Sequence, residues 1–456
     1  MAALTCIRGG TLVLPDGLKK ADLWICDDKI AQIGGTVNGE YTAVEASGRL
    51  VFPGFIDAHT HLEMPVSGTV TADDFPSGTA AALAGGTTVI LDFATQERGG
   101  TLAEALEIWH RRADGRCACD YGFHMAVTDW NESTCEQLRK MPEAGVTSFK
   151  AYMAYDALRI SDEALREFFA ATADIGPVGV HCELGDKVAE GVRTQLDAGC
   201  IGPEGHPKSR PNAVESAAVA RCLQLAREGG GNAWIVHLST REGLAEIEKA
   251  RELGQKVLVE TCPQYLTLTD EVYITKDFEG AKFVCSPPIR SAEDKVELIS
   301  AVAAEKVDII STDHCSFHFE GQKELGRGDF SKIPNGLPGV EHRPAVIWSA
   351  LVSEGKLDPV QFARLLAENP ARAFGLAHKG SLEVGKDADI VIWDPDYRGE
   401  LRASEQVQNV DYSPWEGFAL TGRAEKVYLR GVLSAECGRV LVPDGGKYLL
   451  RRPSVF

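Results

Sequence analysis

Short apolar strands alternate with longer amphipathic helical stretches between about residues 53 and 375. Helical patterning is clear at 101–112, 161–173 and 213–227. Strand–helix alternation predicts a parallel β-sheet, because a parallel connection needs a crossover long enough to hold a helix. The candidate strands are short apolar runs that begin near Phe55, Thr88, Tyr121, Thr147, Val178, Trp234, Val257 and Asp308. Eight such units predict a closed (β/α)8 barrel in preference to an open sheet.

The two ends of the chain share a different pattern, short strand-like runs bounded by Gly, Pro and Asp. These runs lie at 10–17, 21–26, 389–395 and 426–431. They predict strands joined by turns, and thus a small β-sandwich domain built from both termini. We therefore expect an α/β chain, a TIM-like barrel carrying this smaller domain and ending in a C-terminal tail. The predicted domain bounds are 1–52, 53–375 and 376–456.

Composition excludes several classes of protein. The chain has 456 residues, of which 44% are hydrophobic and 25% charged, a globular balance that disordered and coiled-coil proteins lack. A formal net charge of −19 at pH 7 would repel nucleic acid and anionic membrane surfaces, so neither is an expected partner. No apolar run reaches the ~18 residues of a membrane span. Residues 1–8 show no basic segment before an apolar core, so we expect no signal peptide and a cytoplasmic location. The 12 scattered cysteines are then expected to be reduced.

Five of the eight candidate strands end in a side chain that could bind a metal. These side chains are His59, His61, Lys150, His181, His237 and Asp313. In a parallel barrel the carboxyl ends of all strands meet at one face, where sites are assembled from several strands. The pattern therefore predicts one polar cluster at that face.

A lone histidine after an apolar strand is more often a hydrogen-bonded core residue than a metal ligand. Four histidines and an aspartate at strand ends have no common structural purpose, so the joint pattern indicates a metal centre. His314 follows Asp313 and is interpreted either as a partner that supports this aspartate or as a structural residue. The remaining histidines are interpreted as structural: His110, His124, His206, His318, His342 and His378.

Lys150 matters because of the number of ligands that a two-metal site needs. Two zinc ions require about three protein ligands each, and four histidines with one aspartate supply only five contacts. A lysine beside two cations would lose its proton, and the neutral amine could add carbon dioxide to form a carbamate that reaches both metals. The alternative is that Lys150 is simply the buried lysine of a salt bridge.

These residues resemble the cyclic amidohydrolases, and within them the hydantoinase/dihydropyrimidinase family. The resemblance covers nearly the whole chain, with His181, His237 and the motifs at 59–61, 148–155, 260–266, 286–290, 312–315, 333–341 and 411–418. It implies a binuclear zinc centre, a small cyclic amide or imide substrate, and assembly as a homotetramer or homodimer. One departure is Cys182-Glu183-Leu184, where the family often reads Ala-Glu-Asn after the histidine. We expect this change to alter the surroundings of His181 and not the ligand set.

The resemblance also implies residue roles. His59, His61 and Asp313 would hold one zinc ion, and His181 and His237 the other. Lys150 would be N6-carboxylysine and would bridge the two ions. Asp313 would also transfer the proton. The remaining implied roles are donation to the developing oxyanion by Tyr155 and binding of the ring amide through backbone groups of Ser286 and Asn335.

The implied activity is opening of 5-substituted hydantoins or dihydropyrimidines to N-carbamoyl amino acids. Leu62 and Glu63 stand where relatives acting on carboxylate-bearing rings tend to carry an arginine, so a neutral ring is expected. Two alternatives are an allantoinase-type hydrolase and a non-catalytic relative that has lost its metal ligands. The candidate residues for the substituent pocket, which alternatively only pack its rim, are Met64, Val66, Tyr152, Leu158 and Arg159.

Two further segments carry expectations. The long polar stretch 317–339 has the length of a functional lid. The aromatic segment 412–418 either forms a subunit interface or covers the β domain.

Overall fold

The structure, a computed structural model, describes residues 4–66 and 68–454. Seven short strands come first: β1 (Leu4–Arg8), β2 (Thr11–Leu14), β3 (Gly17–Lys20), β4 (Leu23–Cys26), β5 (Lys29–Ile33), β6 (Thr42–Glu45) and β7 (Leu50–Pro53). A four-stranded sheet has the order β5-β4-β1-β6, whereas β2, β3 and β7 belong to a second sheet. Apolar residues of both sheets, among them Ile7, Leu12, Leu23 and Val51, pack into one core.

The barrel strands follow, with a two-stranded ribbon inserted after the first. They are β8 (Phe55–Thr60), the ribbon β9 (Pro65–Val66) and β10 (Thr69–Val70), β11 (Thr87–Thr95), β12 (Asp120–Ala126), β13 (Phe149–Tyr152), β14 (Val178–His181), β15 (Ala233–Ile235), β16 (Val257–Thr261) and β17 (Ile309–Ile310). Eight strands form one parallel sheet in the order β17-β16-β15-β14-β13-β12-β11-β8. The sheet closes where Thr60 pairs with His314 and His61 N donates to His314 O over 2.8 Å. The predicted (β/α)8 barrel is confirmed.

Helices connect and surround these strands. They are α1 (Phe75–Ala84), α2 (Leu102–Ala113), α3 (Glu132–Leu138), α4 (Asp162–Thr172), α5 (Gly185–Asp197), α6 (Gly205–Ser209), α7 (Asn212–Gly229), α8 (Arg241–Glu252), α9 (Pro263–Thr267), α10 (Ala292–Ala303), α11 (Arg343–Ile347), α12 (Pro359–Ala363) and α13 (Asn369–Ala373). Helix α2 begins where Thr101 and Glu104 form a capping box, which satisfies two free backbone N–H groups. Within the described residues, none of these helices has the length and apolar character needed to span a membrane.

Shorter helical segments complete the description. π-Helical turns at Trp348–Val352 and Arg364–Glu368 continue α11 and join α12 to α13. Turns of 3-10 helix lie at Met141–Ala144, Asp270–Tyr273, Glu279–Phe283, Lys323–Gly326, Phe330–Lys332 and Ala403–Glu405.

The last four strands return to the small domain. They are β18 (Ile390–Glu400), β19 (Ala419–Leu429), β20 (Val432–Glu436) and β21 (Arg439–Val440). The second sheet has the order β21-β20-β19-β18-β7-β2-β3, so both ends of the chain share it, as expected. The chain passes from the second sheet of the small domain to the barrel sheet between Pro53 and Phe55. The domain bounds chosen from the sequence stay predictions.

The C-terminal tail lies against the amino-terminal end of the barrel. Tyr121 N donates to Lys447 O over 3.0 Å, and Leu449 N donates to Tyr121 O over 2.8 Å. The buried Arg451 guanidinium reaches between the strands and donates to Ser148 Oγ over 2.7 Å. The tail thus covers one end of the barrel and leaves the carboxyl ends of the strands for a site.

The segments 317–339 and 412–418, for which the sequence predicts a lid and an interface or cover, are both packed against the barrel. Within 317–339, Phe330, Ile333 and Leu337 are buried in one apolar cluster, so this stretch forms a packed wall. Trp415 of the 412–418 segment is buried, and its Nε1 donates to Thr267 Oγ1 over 2.9 Å, so this segment covers the barrel of its own chain. None of the 12 cysteines, all of which lie in the described part, is in a disulfide.

Candidate active site

The six strand-end side chains meet around one cavity of about 460 Å³ at the carboxyl end of the barrel. All are largely or wholly buried, and they are His59, His61, Lys150, His181, His237 and Asp313. They converge because parallel strands carry their last side chains to the same edge. Their positions agree with the predicted polar cluster at this face of the barrel.

Three of these residues form a compact group. His59 Nε2 lies 3.1 Å and His61 Nε2 lies 3.2 Å from Asp313 Oδ1. Two imidazole nitrogens and a carboxylate oxygen within 4.8 Å of one another could hold a metal ion. This group contains two of the predicted strand-end histidines and the predicted aspartate.

The other two histidines face each other across the same cavity. His181 Nδ1 and His237 Nε2 lie 3.1 Å apart. Burial lowers the pKa of both imidazoles, so neutral rings with free lone pairs are favoured. Two neutral imidazole nitrogens at this separation could both offer lone pairs to a shared cation.

Lys150 reaches the cavity from β13, and its side chain is buried. Burial lowers the pKa of its ammonium to about 8. Among the described residues, Nζ makes no hydrogen bond or ion pair, and the salt-bridge interpretation of Lys150 therefore has no partner to support it. Nζ lies 5.1 Å from the centroid of the Phe93 ring.

Two buried glutamates orient the histidines. Glu260, at the end of β16, accepts from His59 Nδ1 over 2.8 Å and from His237 N over 3.1 Å. Glu183 accepts from His181 Nε2 over 2.8 Å and from Arg210 Nη1 over 2.5 Å. Burial alone would raise the pKa of Glu183, but Arg210 and His181 hold it at about 2. Each carboxylate selects the tautomer that leaves the opposite ring nitrogen free.

The sequence interpretation missed both glutamates. The available signal was a carboxylate in the otherwise apolar run of β16, and a second carboxylate two residues after His181. His314, by contrast, faces away from the cluster. Its Nε2 lies 3.1 Å from Asp73 Oδ2, and its Nδ1 accepts from Gly339 N over 3.0 Å. The His314 side chain therefore holds the backbone at Gly339, and within the described residues it has no hydrogen bond to the Asp313 carboxylate.

Three site residues have a strained backbone. Tyr155, His237 and Asp313 have φ angles of 66°, 39° and 53°, in the left-handed region that side chains other than glycine avoid. Such conformations persist where the surrounding structure enforces them, and they concentrate at functional sites.

The opposite wall of the cavity contains Tyr155, Ser286 and Asn335. Asn335 Nδ2 donates to Ser286 Oγ over 3.0 Å. Burial raises the pKa of Tyr155, so its hydroxyl stays protonated and able to donate. Among the described residues, the Ser286 carbonyl and the Asn335 N–H have no hydrogen-bond partner.

This chain is similar to known proteins along nearly its whole length. A model of the amidohydrolase family matches residues 50–433. A D-hydantoinase of Streptomyces coelicolor is 43% identical over 440 residues, which cover 94% of each chain. A D-hydantoinase of Ralstonia pickettii is 43% identical over 451 residues, 98% of each chain. The crystal structure of a dihydropyrimidinase from Brevibacillus agri matches all of both chains at 37% identity, with a TM-score of 0.97. The chain belongs to the amidohydrolase family.

The resemblance to the hydantoinase/dihydropyrimidinase branch is thereby confirmed. The motifs that carry this resemblance are short and spread along the sequence. The similarity of this amidohydrolase to the named relatives extends over nearly the full length of the chain. Family membership implies a metal, and the His59, His61 and Asp313 group offers a site for one.

The outer wall of the cavity in this amidohydrolase is largely apolar. Four of the five residues predicted for the substituent pocket line it, namely Met64, Val66, Tyr152 and Leu158. Arg159 does not line the cavity, since its guanidinium pairs with Asp156 and Asp186 over 2.9 and 2.8 Å. The prediction for Arg159 was therefore wrong. Lining residues that were missed include Gln96, Glu97, Arg98, Ile108, Trp109, Arg112 and Cys315.

Proposed function

We propose that this chain is a binuclear zinc hydrolase that opens the cyclic amide bond of 5-substituted hydantoins or dihydropyrimidines to N-carbamoyl amino acids. One observation carries the proposal: four imidazoles, a carboxylate and a lysine surround one end of a cavity whose other wall presents a free backbone donor and acceptor. A ring amide has the complementary acceptor and donor. Relatives named for this chemistry, at 43% identity, support the assignment.

The donor set fits two metal ions. In the proposed arrangement His59, His61 and Asp313 would hold one ion, and His181 and His237 would hold the other. Lys150, as a carbamate formed with carbon dioxide, would supply further oxygen ligands. Burial lowers the pKa of Lys150 from 10.5 to about 8, which increases the fraction of neutral amine that this addition requires. Bound zinc would lower the pKa of a coordinated water and polarise the substrate carbonyl.

The protein groups then have distinct roles. The Asn335 N–H and the Ser286 carbonyl hold the ring amide, and the Tyr155 hydroxyl donates to the carbonyl oxygen as charge develops there. Asp313 accepts a proton from the attacking water and returns it to the leaving nitrogen. A C–O bond forms, the ring C–N bond breaks, and the proton ends on nitrogen. The surrounding walls limit the access of other water molecules.

The two alternatives are weaker. A non-catalytic relative would lack metal ligands, whereas all six candidate residues are present and lie together. An allantoinase-type activity is not favoured, because the similar curated relatives carry hydantoinase names. A homotetrameric or homodimeric assembly and a cytoplasmic location remain predictions, as does the absence of nucleic-acid and membrane partners.

The deciding experiment measures ring opening by zinc-loaded protein on dihydrouracil, allantoin and 5-phenylhydantoin side by side, with Asp313→Asn as the inactive control. We expect turnover of dihydrouracil or of the aryl hydantoin, and the better of the two assigns the preferred ring. Allantoin as the best substrate would replace the proposal with the allantoinase alternative. No turnover of any substrate, with two metal ions bound, would refute the substrate class.

A further inference from the structure

Lys323 is a lysine with 0% exposure, located in the packed wall behind the cavity. Within the described residues its Nζ forms no ion pair. It donates instead to three backbone carbonyl oxygens, those of Val284, Pro334 and Gly336, over 2.8, 2.7 and 2.7 Å. An ammonium group has three N–H donors and no acceptor, so these carbonyls use its full donor capacity.

The three carbonyls belong to the two segments that form the amide-binding wall. Pro334 and Gly336 flank Asn335, and Val284 lies two residues before Ser286. Gly336 N also donates to Val284 O over 3.0 Å, so the segments are bonded to each other as well as to Lys323. A single ammonium thereby joins both halves of the wall from behind.

Neighbouring carbonyls in this wall accept hydrogen bonds too, whereas the Ser286 carbonyl accepts none from any residue that the structure describes. His206 Nε2 donates to Cys285 O over 2.7 Å, and the Tyr265 hydroxyl donates to Pro287 O over 2.8 Å. With the carbonyls on either side of Ser286 engaged, its own carbonyl is the acceptor that remains for a ligand in the cavity.

Burying the Lys323 ammonium in this wall costs free energy, and the packing of the wall does not require a cation at this position. Burial lowers the pKa of Lys323 to about 7, because the ammonium loses its hydration and pairs with no carboxylate in the described part of the chain. A methionine could fill similar space at this buried position without that cost. What the lysine adds is three charge-assisted hydrogen bonds with a defined geometry.

We propose that Lys323 is a positioning residue for the amide-binding wall, holding the Ser286 carbonyl and the Asn335 N–H at the separation and orientation that a cyclic amide requires. The inference rests on the proposed function. Lys323 touches neither the metal-binding side chains nor the cavity, so its loss should impair substrate binding and leave metal content unchanged.

The test compares Lys323→Met with the wild type and with Leu298→Ala, which removes buried apolar contacts from α10 away from the wall. We expect Lys323→Met to lower kcat/KM by about 10²-fold, mostly through KM, as misplacement of a binding group does. Zinc content should be unchanged. Leu298→Ala should lower thermal stability with little change in KM. An unchanged KM in folded Lys323→Met, or an equal KM rise in Leu298→Ala, would overturn the proposal.

Chemical rescue separates positioning from general destabilisation. In Lys323→Ala, added ethylammonium should lower KM, whereas ethanol, which lacks the charge and two of the donors, should not. The amine should have no such effect on the wild type or on Leu298→Ala. If Lys323→Met fails to fold, Lys323→Gln, which keeps two N–H donors, should show an intermediate KM. A wild-type KM in Lys323→Gln together with no amine rescue would contradict the proposal.

A readout without substrate distinguishes failure of this inference from failure of the proposed function. Hydrogen exchange of peptides covering 284–289 and 333–337 should accelerate in a folded Lys323 variant relative to both the wild type and Leu298→Ala. If wild-type protein opens no cyclic amide, the proposed function fails on that result alone. Unchanged exchange in both segments would refute the positioning role whatever the substrate.

Discussion

Glu260 Oε1 accepts a hydrogen bond from His59 Nδ1 over 2.8 Å, which fixes the imidazole with its Nε2 toward Asp313. The same oxygen accepts from His237 N over 3.1 Å, so one carboxylate orients residues of both candidate metal positions. Partners of this kind set the tautomer and ring orientation of metal-binding histidines. The geometry of the cluster thus depends on a residue that would bind no metal itself.

Replacing Glu260 should therefore weaken metal binding. We expect Glu260→Leu to lower zinc affinity by about 10- to 100-fold, and Glu260→Gln by less, because an amide oxygen still accepts from His59. Zinc competition with a chelator measures the change. The matched control is Glu215→Gln, a buried carboxylate that accepts from Ser239 and Arg290 instead. Equal affinities in the Glu260 and Glu215 variants would argue against this role.

Much of the fold could be predicted from the sequence because the alternation of strands and helices is local. The strand-end positions of His59, His181 and Asp313 were predictable for the same reason, since a closed parallel barrel brings strand ends together. The role of Glu260 was not predicted, because a carboxylate in β16 does not by itself indicate a contact with His59, which lies 201 positions away.

Two other features also depend on long-range contacts. The tail residue Arg451 contacts Ser148 across 303 positions, and nothing in the sequence of the tail indicates this destination. Lys323 looks like a surface lysine in a polar, glycine-rich stretch. Its buried Nζ donates to the carbonyl oxygens of Val284, Pro334 and Gly336, and periodicity does not reveal these contacts.

Lys150 should be essential for metal loading if it forms the bridging carbamate. We expect Lys150→Ala to lose zinc and activity, and short carboxylates such as acetate to restore part of both. Lys150→Arg is the matched control, because it keeps a cation at the position but cannot add carbon dioxide. Zinc content and turnover are measured together. Native zinc content and turnover in Lys150→Arg would exclude the carbamate.

Asp313 should be required for turnover beyond its part in metal binding. Asp313→Asn can still offer an oxygen to a metal but cannot carry the proton, so we expect a loss of about 10²–10⁴-fold in kcat in protein reloaded with zinc. The control is Asp308→Asn, directly before β17, where the carboxylate pairs with Arg251 over 2.9 Å. Near-native turnover by fully loaded Asp313→Asn would show that another group transfers the proton.

Glu341 should make stability depend on pH. Burial raises the pKa of its carboxyl from 4.5 to about 7, although it accepts from the N–H groups of Val407 and Gln408. Between these pH values the folded state binds a proton that the unfolded state has lost. Its stabilising contribution is therefore complete below about pH 4.5 and is lost as pH rises through about 7.

Glu341→Gln should remove this dependence. Relative to the variant, the wild type should lose about 1.4 kcal/mol of unfolding free energy per pH unit across that interval. Urea unfolding at pH 5 and pH 8 measures the difference, with the exposed Glu354→Gln as control. A constant stability difference between wild type and Glu341→Gln at the two pH values would show that the carboxyl does not titrate in this range.

Tyr155 should act on the transition state and not on metal binding. The centroid of its ring lies 5.1 Å from the centroid of the His181 ring. Burial raises the pKa of its hydroxyl, which therefore stays a donor at neutral and mildly alkaline pH. We expect Tyr155→Phe to lower kcat by about 10²–10³-fold, as loss of an oxyanion donor does, with KM and zinc content little changed. Tyr152→Phe, which alters another phenol lining the same cavity, is the control. A change confined to KM in Tyr155→Phe would assign the hydroxyl to ground-state binding, since an interaction made equally in both states raises KM without lowering kcat.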